Sequence, residues 1–266
     1  AFDCMTDHRA QLLASVGIAM EAAEQDSRAA QQDSLFSLFG DETAHEVAMA
    51  EVPRWGEKER LLNEKAALGF YFSGHPFTAY RAELAGFVKT RLKDLSPQQQ
   101  PVLLAGIIYS VRTQMTRRGK MAFVALDDGG AQVEVAIFNE LFDAHRDLLK
   151  EDQLLLLEGK VSRDDYSGGL RVSTDRLYDI GTARTRFAKS LRLSCNGQAN
   201  AGKLMELLSP YRNGAGAGCP VTISYRNAGA CCDVELGDGW RVQLHNNLLQ
   251  TLGEWLNPDQ VSIRYQ

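Results

Sequence analysis

Between residues 102 and 180 the apolar and polar positions alternate with the period of strands rather than of helices. Pro101 opens a long run rich in Leu, Ile and Val over 102–115, and a second run covers 121–127. In a third, 132–138, Val133, Val135 and Ile137 fall on one face and Gln132 and Glu134 on the other. Asp127-Asp128-Gly129-Gly130 reads as the tight turn between the second and third runs. The period lengthens to that of a helix over 139–150. Two further strands follow at 153–163 and 170–179, joined by a loop from Asp164 to Gly169. Three strands, a helix and two strands is the order of an OB-fold. That fold is a small barrel whose loops between strands 1–2 and 4–5 flank a ligand face.

The flanks follow other periods. Leu12, Leu13, Val16, Ile18, Ala19 and Ala23 predict a helix over 6–30. That pattern stops near residue 26, and 26–54 reads as an exposed acidic linker with one apolar island at 34–39. A helix is predicted at 56–70. Ser73 to Phe77 punctuates the chain, and Pro76 starts a short helix at 77–86. The tail predicts strand 187–195, helix 199–211, strands 220–226 and 231–236, helix 244–255 and strand 260–265. This βαββαβ order suits a small α+β domain. The Gly-Ala run at 214–218 lacks the Lys-Ser/Thr ending of a phosphate-binding loop. The expected organisation is multi-domain: a helical segment with linker at 1–55, a helical connector at 56–100, an all-β OB-fold at 101–180, and the α+β domain at 181–266.

Composition adds bounds. The chain has 266 residues, of which 44% are hydrophobic, enough for two or three packed units. It opens on Ala1 rather than Met and reads as a fragment of something longer. Its formal charge of −5 does not suit an autonomous nucleic-acid binder. The charge is graded. Residues 21–60 hold ten acidic and four basic side chains, a net of −6; residues 181–266 hold six acidic and nine basic, a net of +3. Cys4, Cys195, Cys219, Cys231 and Cys232 form no CxxC pair, and are expected to be reduced thiols of a cytoplasmic protein. No apolar run approaches the roughly 18 residues that a membrane helix needs.

Several motifs in order carry a family resemblance. Asn63-Glu64-Lys65 precedes GFYFSGHPF at 69–77; TRRGKMAFVALDD follows at 116–128 and LEGKVSRDDYSGGLRV at 157–172; AFDCMTDHRAQLL stands at 1–13. Together they resemble the C-terminal region of the catalytic α subunit of bacterial DNA polymerase III, over residues 1–180 and more weakly beyond. The resemblance implies a replicative DNA-directed DNA polymerase, a nucleotidyltransferase, whose Mg²⁺-binding carboxylates lie upstream of this region. This stretch is then expected to hold no active site, metal or cofactor. The adjacent pairs Asp127-Asp128 and Asp164-Asp165 agree, because both sit at turns and strand neighbours point to opposite faces.

Three constellations could bind partners. Gln32, Asp33, Ser34, Leu35 and Phe36 give a Gln, two small polar residues and two apolar anchors in an acidic stretch. This resembles the peptide that grips the β sliding clamp, with Leu35 and Phe36 filling a pocket. The plain alternative is that they dock on their own domain. On the barrel, Arg112, Arg117, Arg118 and Lys120 surround the first loop, and Arg163, Tyr166 and Arg171 the last. Phe123 could stack on a base, so the face is expected to contact single-stranded DNA; alternatively Phe123 lies in the barrel core. Residues 101–180 hold ten basic and thirteen acidic side chains, a net of −3, so that contact should be weak and salt-sensitive. The resemblance assigns the C-terminal domain to the clamp-loader τ subunit, with Trp240, Trp255, Arg264 and Tyr265 as candidates.

Two rivals belong to other classes. An OB-fold anticodon-binding module of a tRNA-linked enzyme is allowed by the hairpin alone. A hydrolase built on a Cys or His has no supporting motif, and His8, His45, His75, His145 and His245 are scattered.

Overall fold

The computed structural model describes residues 3–32, 48–116, 119–163, 168–196, 200–212 and 218–265, with the backbone alone at 29–32. The chain divides into two units, Ala1–Gly74 and His75–Gln266.

The first unit contains helices α1 (Arg9–Gln32) and α2 (Glu57–Leu68). The His8 ring accepts from the Gln11 N–H at 3.0 Å and so caps α1. Gly69, at φ 85°, closes α2 in the left-handed conformation that favours glycine. The unit's packing centre is an acid. Glu64, nearly buried, accepts the Phe72 and Ser73 N–H groups at 2.9 and 2.8 Å and Arg9 at 2.7 Å. Burial resists the charge, but these bonds outweigh it and bring the Glu64 carboxyl down to about 2. Helix α1 runs to Gln32, past residue 26 where the apolar pattern ends. Leu13, Val16 and Ile18, which made that pattern, are exposed.

The second unit starts with helix α3 (Thr78–Leu84) and continues into the barrel: β1 (Gln98–Thr116), β2 (Gly119–Asp127), β3 (Gln132–Ile137), helix α4 (Asn139–Ala144), β4 (Leu154–Arg163) and β5 (Leu170–Tyr178). Their order, β1-β2-β3-β5-β4, closes on itself, with β3 parallel to β5 and the other pairs antiparallel. Strand β1 pairs with β4 through its first half and with β2 through its second, bending at a bulge between Ile108 and Ser110. At Gly106 a Cβ would lie 2.6 Å from the Leu126 side chain and 2.9 Å from the Asp127 carbonyl, so only glycine fits this corner. Leu104, Ile108, Val124, Leu126, Val135, Leu155, Leu157 and Val172 fill the interior, and Phe142 of α4 packs against them.

Helix α5 (Ile180–Phe187) joins the barrel to β6 (Ala188–Asn196), α6 (Ala201–Leu208), β7 (Val221–Arg226), β8 (Cys231–Glu235), α7 (Asn246–Leu256) and β9 (Val261–Tyr265). The sheet order is β8-β7-β6-β9, with β6 and β7 parallel. Leu191, Leu193, Leu204, Leu208, Val221, Leu248 and Leu252 form its core. The expected succession of helical part, OB-fold and βαββαβ domain is therefore present. The helix α5 was not anticipated, and β1 starts earlier than its apolar run. Among the described residues no helix is long and apolar enough to cross a membrane.

A buried polar knot holds α3, α5, α7 and β9 together. Arg184 of α5, 7% exposed, donates to both oxygens of Glu83 on α3 and to the Asn246 side chain. The Tyr265 hydroxyl of β9 donates to the same Glu83 at 2.7 Å, while its ring packs 4.7 Å from that of Phe87. Burial opposes the charge on Glu83, yet Arg184 and Tyr265 keep the carboxyl below its ordinary value.

Candidate nucleic-acid interface

The period of two decides which barrel side chains face outward. In β2, Ala122, Val124 and Leu126 are buried, so Phe123 and Ala125 point out. The register then builds a surface of neighbours. Arg112 pairs with Phe123, Phe123 with Ala136, and Ala136 with Ser173. In the adjacent row Ser110 pairs with Ala125, Ala125 with Glu134, and Glu134 with Arg171. The small side chains leave the sheet open around one aromatic ring and two guanidinium groups.

The charges on this face are coupled. Glu134 sits between the arginines, 2.5 Å from Arg112 and 3.5 Å from Arg171. Arg171 also lies over the Phe123 ring, 5.6 Å from its centre. Thus Arg112, Phe123 and Arg171 come together, and Phe123 is outside the barrel core. Their bound acid, Glu134, was read only as a polar alternation marker. Lys160 was also missed: it is exposed on β4 opposite Ser173, one step further around the barrel. Strand alternation was the available signal for both.

The other anticipated residues are distributed differently. Lys120 shares the inward register of Ala122, and its Nζ stands 5.3 Å from the Phe142 ring centre, away from Phe123. Arg163 ends β4 opposite Leu170 and is exposed. Arg117, Arg118 and Tyr166 lie outside the described residues, as do Asp33, Ser34, Leu35 and Phe36; Gln32 is the last residue of α1. In the C-terminal domain, Trp240 stacks under the Arg212 guanidinium at 4.2 Å, Trp255 packs on the core, and Arg264 is exposed.

The aspartates of the β2–β3 turn are structural acceptors. Asp128 takes the N–H groups of Leu92, Gly130 and Ala131 at 2.8–3.0 Å. Asp127 lies 3.4 Å from His75 and accepts from Gln132 and Gly129; burial opposes its charge, but these bonds keep it low. Among the described residues no cluster of His, Cys, Asp or Glu could hold a metal ion.

Known proteins resemble the chain at the same places. Residues 102–180 match the OB-fold nucleic acid binding domain family, and residues 203–256 match the C-terminal domain of DNA polymerase III subunit alpha. A DNA polymerase III subunit alpha from Neisseria meningitidis serogroup B is 38% identical over 267 residues, covering 100% of this chain and 23% of that protein. The chain matches the C-terminal region of the DNA polymerase III alpha family. The Escherichia coli K12 alpha subunit is 32% identical over 100% of the chain and 24% of its own length. The chain thus spans about a quarter of the alpha subunits it matches. Among solved structures, the second OB-fold domain of replication protein A from Methanococcus maripaludis aligns with 34% of the chain and 95% of its own, at 19% identity and TM-score 0.28.

Proposed function

We propose that this part of a polymerase alpha subunit holds single-stranded DNA on the outward face of its barrel, beside a protein that extends DNA elsewhere. The supporting observation is the convergence of Arg112, Phe123 and Arg171 on one open sheet surface. Single-strand binders combine stacking rings with cations that track phosphates, each stack contributing about 1–3 kcal/mol. The Mg²⁺-dependent chemistry of the whole protein belongs to residues outside this chain, and the setting is the cytoplasm. The Gln32–Phe36 peptide tethers the assembly to the β sliding clamp, and the C-terminal α+β domain receives the clamp-loader τ subunit. Tethering of this kind raises the local concentration of a weak DNA contact. The tRNA-module alternative draws on the barrel alone, whereas the match at 203–256 and the full-length relatives favour the polymerase.

Anisotropy titration of a labelled oligothymidylate tests the DNA contact. Phe123→Ala should weaken binding by about tenfold, the lower part of the stacking range. Arg112→Ala with Arg171→Ala should flatten the salt dependence by about 1.4 in log–log slope. Unchanged affinity and slope in both variants would refute the assignment. For the tether, Leu35→Ala with Phe36→Ala should abolish clamp capture.

A further inference from the structure

On the outward face the two arginines share the acid Glu134. A separate cleft of about 490 Å³ opens between the 77–93 segment and the β2–β3 turn. Arg81, Lys89, Arg91 and Lys93 line it, together with the Gly129-Gly130 backbone. All four cations are exposed, and among the described residues none pairs with a carboxylate. Among the described residues Arg81 donates to the Asp128 carbonyl at 3.4 Å and Lys89 to the Gly86 carbonyl at 3.3 Å. Three nearby acids are already engaged, Asp128 by three N–H groups, Asp127 by His75 and Gln132, and Glu83 by Arg184 and Tyr265; Asp94, the neighbour of Lys93, is exposed and does not line the cleft. Like charges gathered around a concavity repel one another and raise the local concentration of anions.

We infer that this cleft is a second nucleic-acid site, which takes the phosphodiester backbone without reading bases. The guanidinium and ammonium groups supply charge-assisted donors for phosphate oxygens, and no aromatic side chain except Phe77 lines the cleft. Its position suits a continuous track. From Phe123 to Gly129 is six residues along the hairpin, about 20 Å at roughly 3.3 Å per residue. Ala105, which lines the cleft, shares the outward side of β1 with Ile107, whose partner is Asp127 at the same turn. A strand leaving Phe123 toward the turn would arrive at Lys89, Arg91 and Lys93. The inference does not depend on the Phe123 contact, because a duplex backbone offers the same chemistry.

The test uses the whole chain with Lys89→Gln, Arg91→Gln and Lys93→Gln combined. These side chains are exposed, so the fold should survive, and circular dichroism checks it. The probes are an oligothymidylate of about six nucleotides, one of about twenty, and a duplex of about twenty base pairs. The triple variant should lose about 2 in salt slope on the twenty-nucleotide strand and bind it at least tenfold more weakly at low salt. Binding of the short strand should remain. A comparable loss on the duplex alone would also support the site and identify double-stranded DNA as its source of phosphate. An unchanged slope on both long probes overturns the proposal, as would loss of an acidic peptide's binding without any effect on DNA. Phe123→Ala, run in parallel, separates the two sites: loss there with none in the triple variant sinks the cleft alone.

Discussion

Removing Arg184 should undo the second unit more than any surface change. The Arg184 side chain is 8% exposed, and its partner Glu83 24%. Arg184→Met keeps much of the apolar volume but leaves Glu83 with the Tyr265 hydroxyl and partial access to water. Breaking a fully buried pair costs about 3–5 kcal/mol; the exposure of Glu83 argues for the lower end, about 3 kcal/mol. For a unit of roughly 190 residues each kcal/mol lowers Tm by about 2–4 °C, so a fall of about 6–12 °C is expected. Tyr265→Phe keeps the Phe87 contact and loses one bond to a charged group, about 1.5–3 kcal/mol. Glu83→Leu combined with Arg184→Met should cost less than the sum of the two changes, because neither then strands a buried charge. Differential scanning calorimetry of wild type, Arg184→Met, Glu83→Leu, the double variant and Tyr265→Phe checks this. A Tm within about 1 °C of wild type for Arg184→Met, or strictly additive losses, would refute the reasoning.

Glu134→Gln should tighten single-strand binding by about fivefold, because it frees Arg112 and Arg171 from their shared acid while keeping the side chain's shape; anisotropy at fixed salt measures it. Glu64 is depressed to about 2, so its contribution is complete above its unfolded value near 4.5 and is lost as pH falls toward 2. Glu64→Gln should therefore flatten the fall in stability across that window, as read by urea unfolding at several pH values. Gly106→Ala places a methyl against the Leu126 side chain and the Asp127 carbonyl, which should cost about 1–3 kcal/mol in the same assay.

The barrel was legible because each strand buries one face and leaves the other wet. Val133, Val135 and Ile137 announced that division before any coordinate did, and all three fill the interior. The role of Asp127 and Asp128 as turn residues was legible for a similar local reason. Helix α5 was hidden because eight residues are too few to show a helical period; only Asp179, which caps it by accepting from Thr182, marked the start. Helix α1 outruns its pattern because Ala, Gln, Glu and Arg favour helix without an apolar stripe. At the candidate site, residue types suggested Arg112, Phe123 and Arg171, which the register brings together, but not that Glu134 binds both arginines. That depends on which strands the barrel makes neighbours, and β3 meets β5 only through closure. Strand alternation within β2, not closure, turns Lys120 away from Phe123, because an odd spacing of three puts them on opposite faces.

Hydrogen–deuterium exchange of the whole chain with and without oligothymidylate tests the central claim most directly. Slowed exchange should be concentrated at 110–113, 122–125, 134–136 and 171–173, where the outward rows of β1, β2, β3 and β5 meet. Protection confined to the C-terminal sheet at 221–235, with those four segments unchanged, would contradict it.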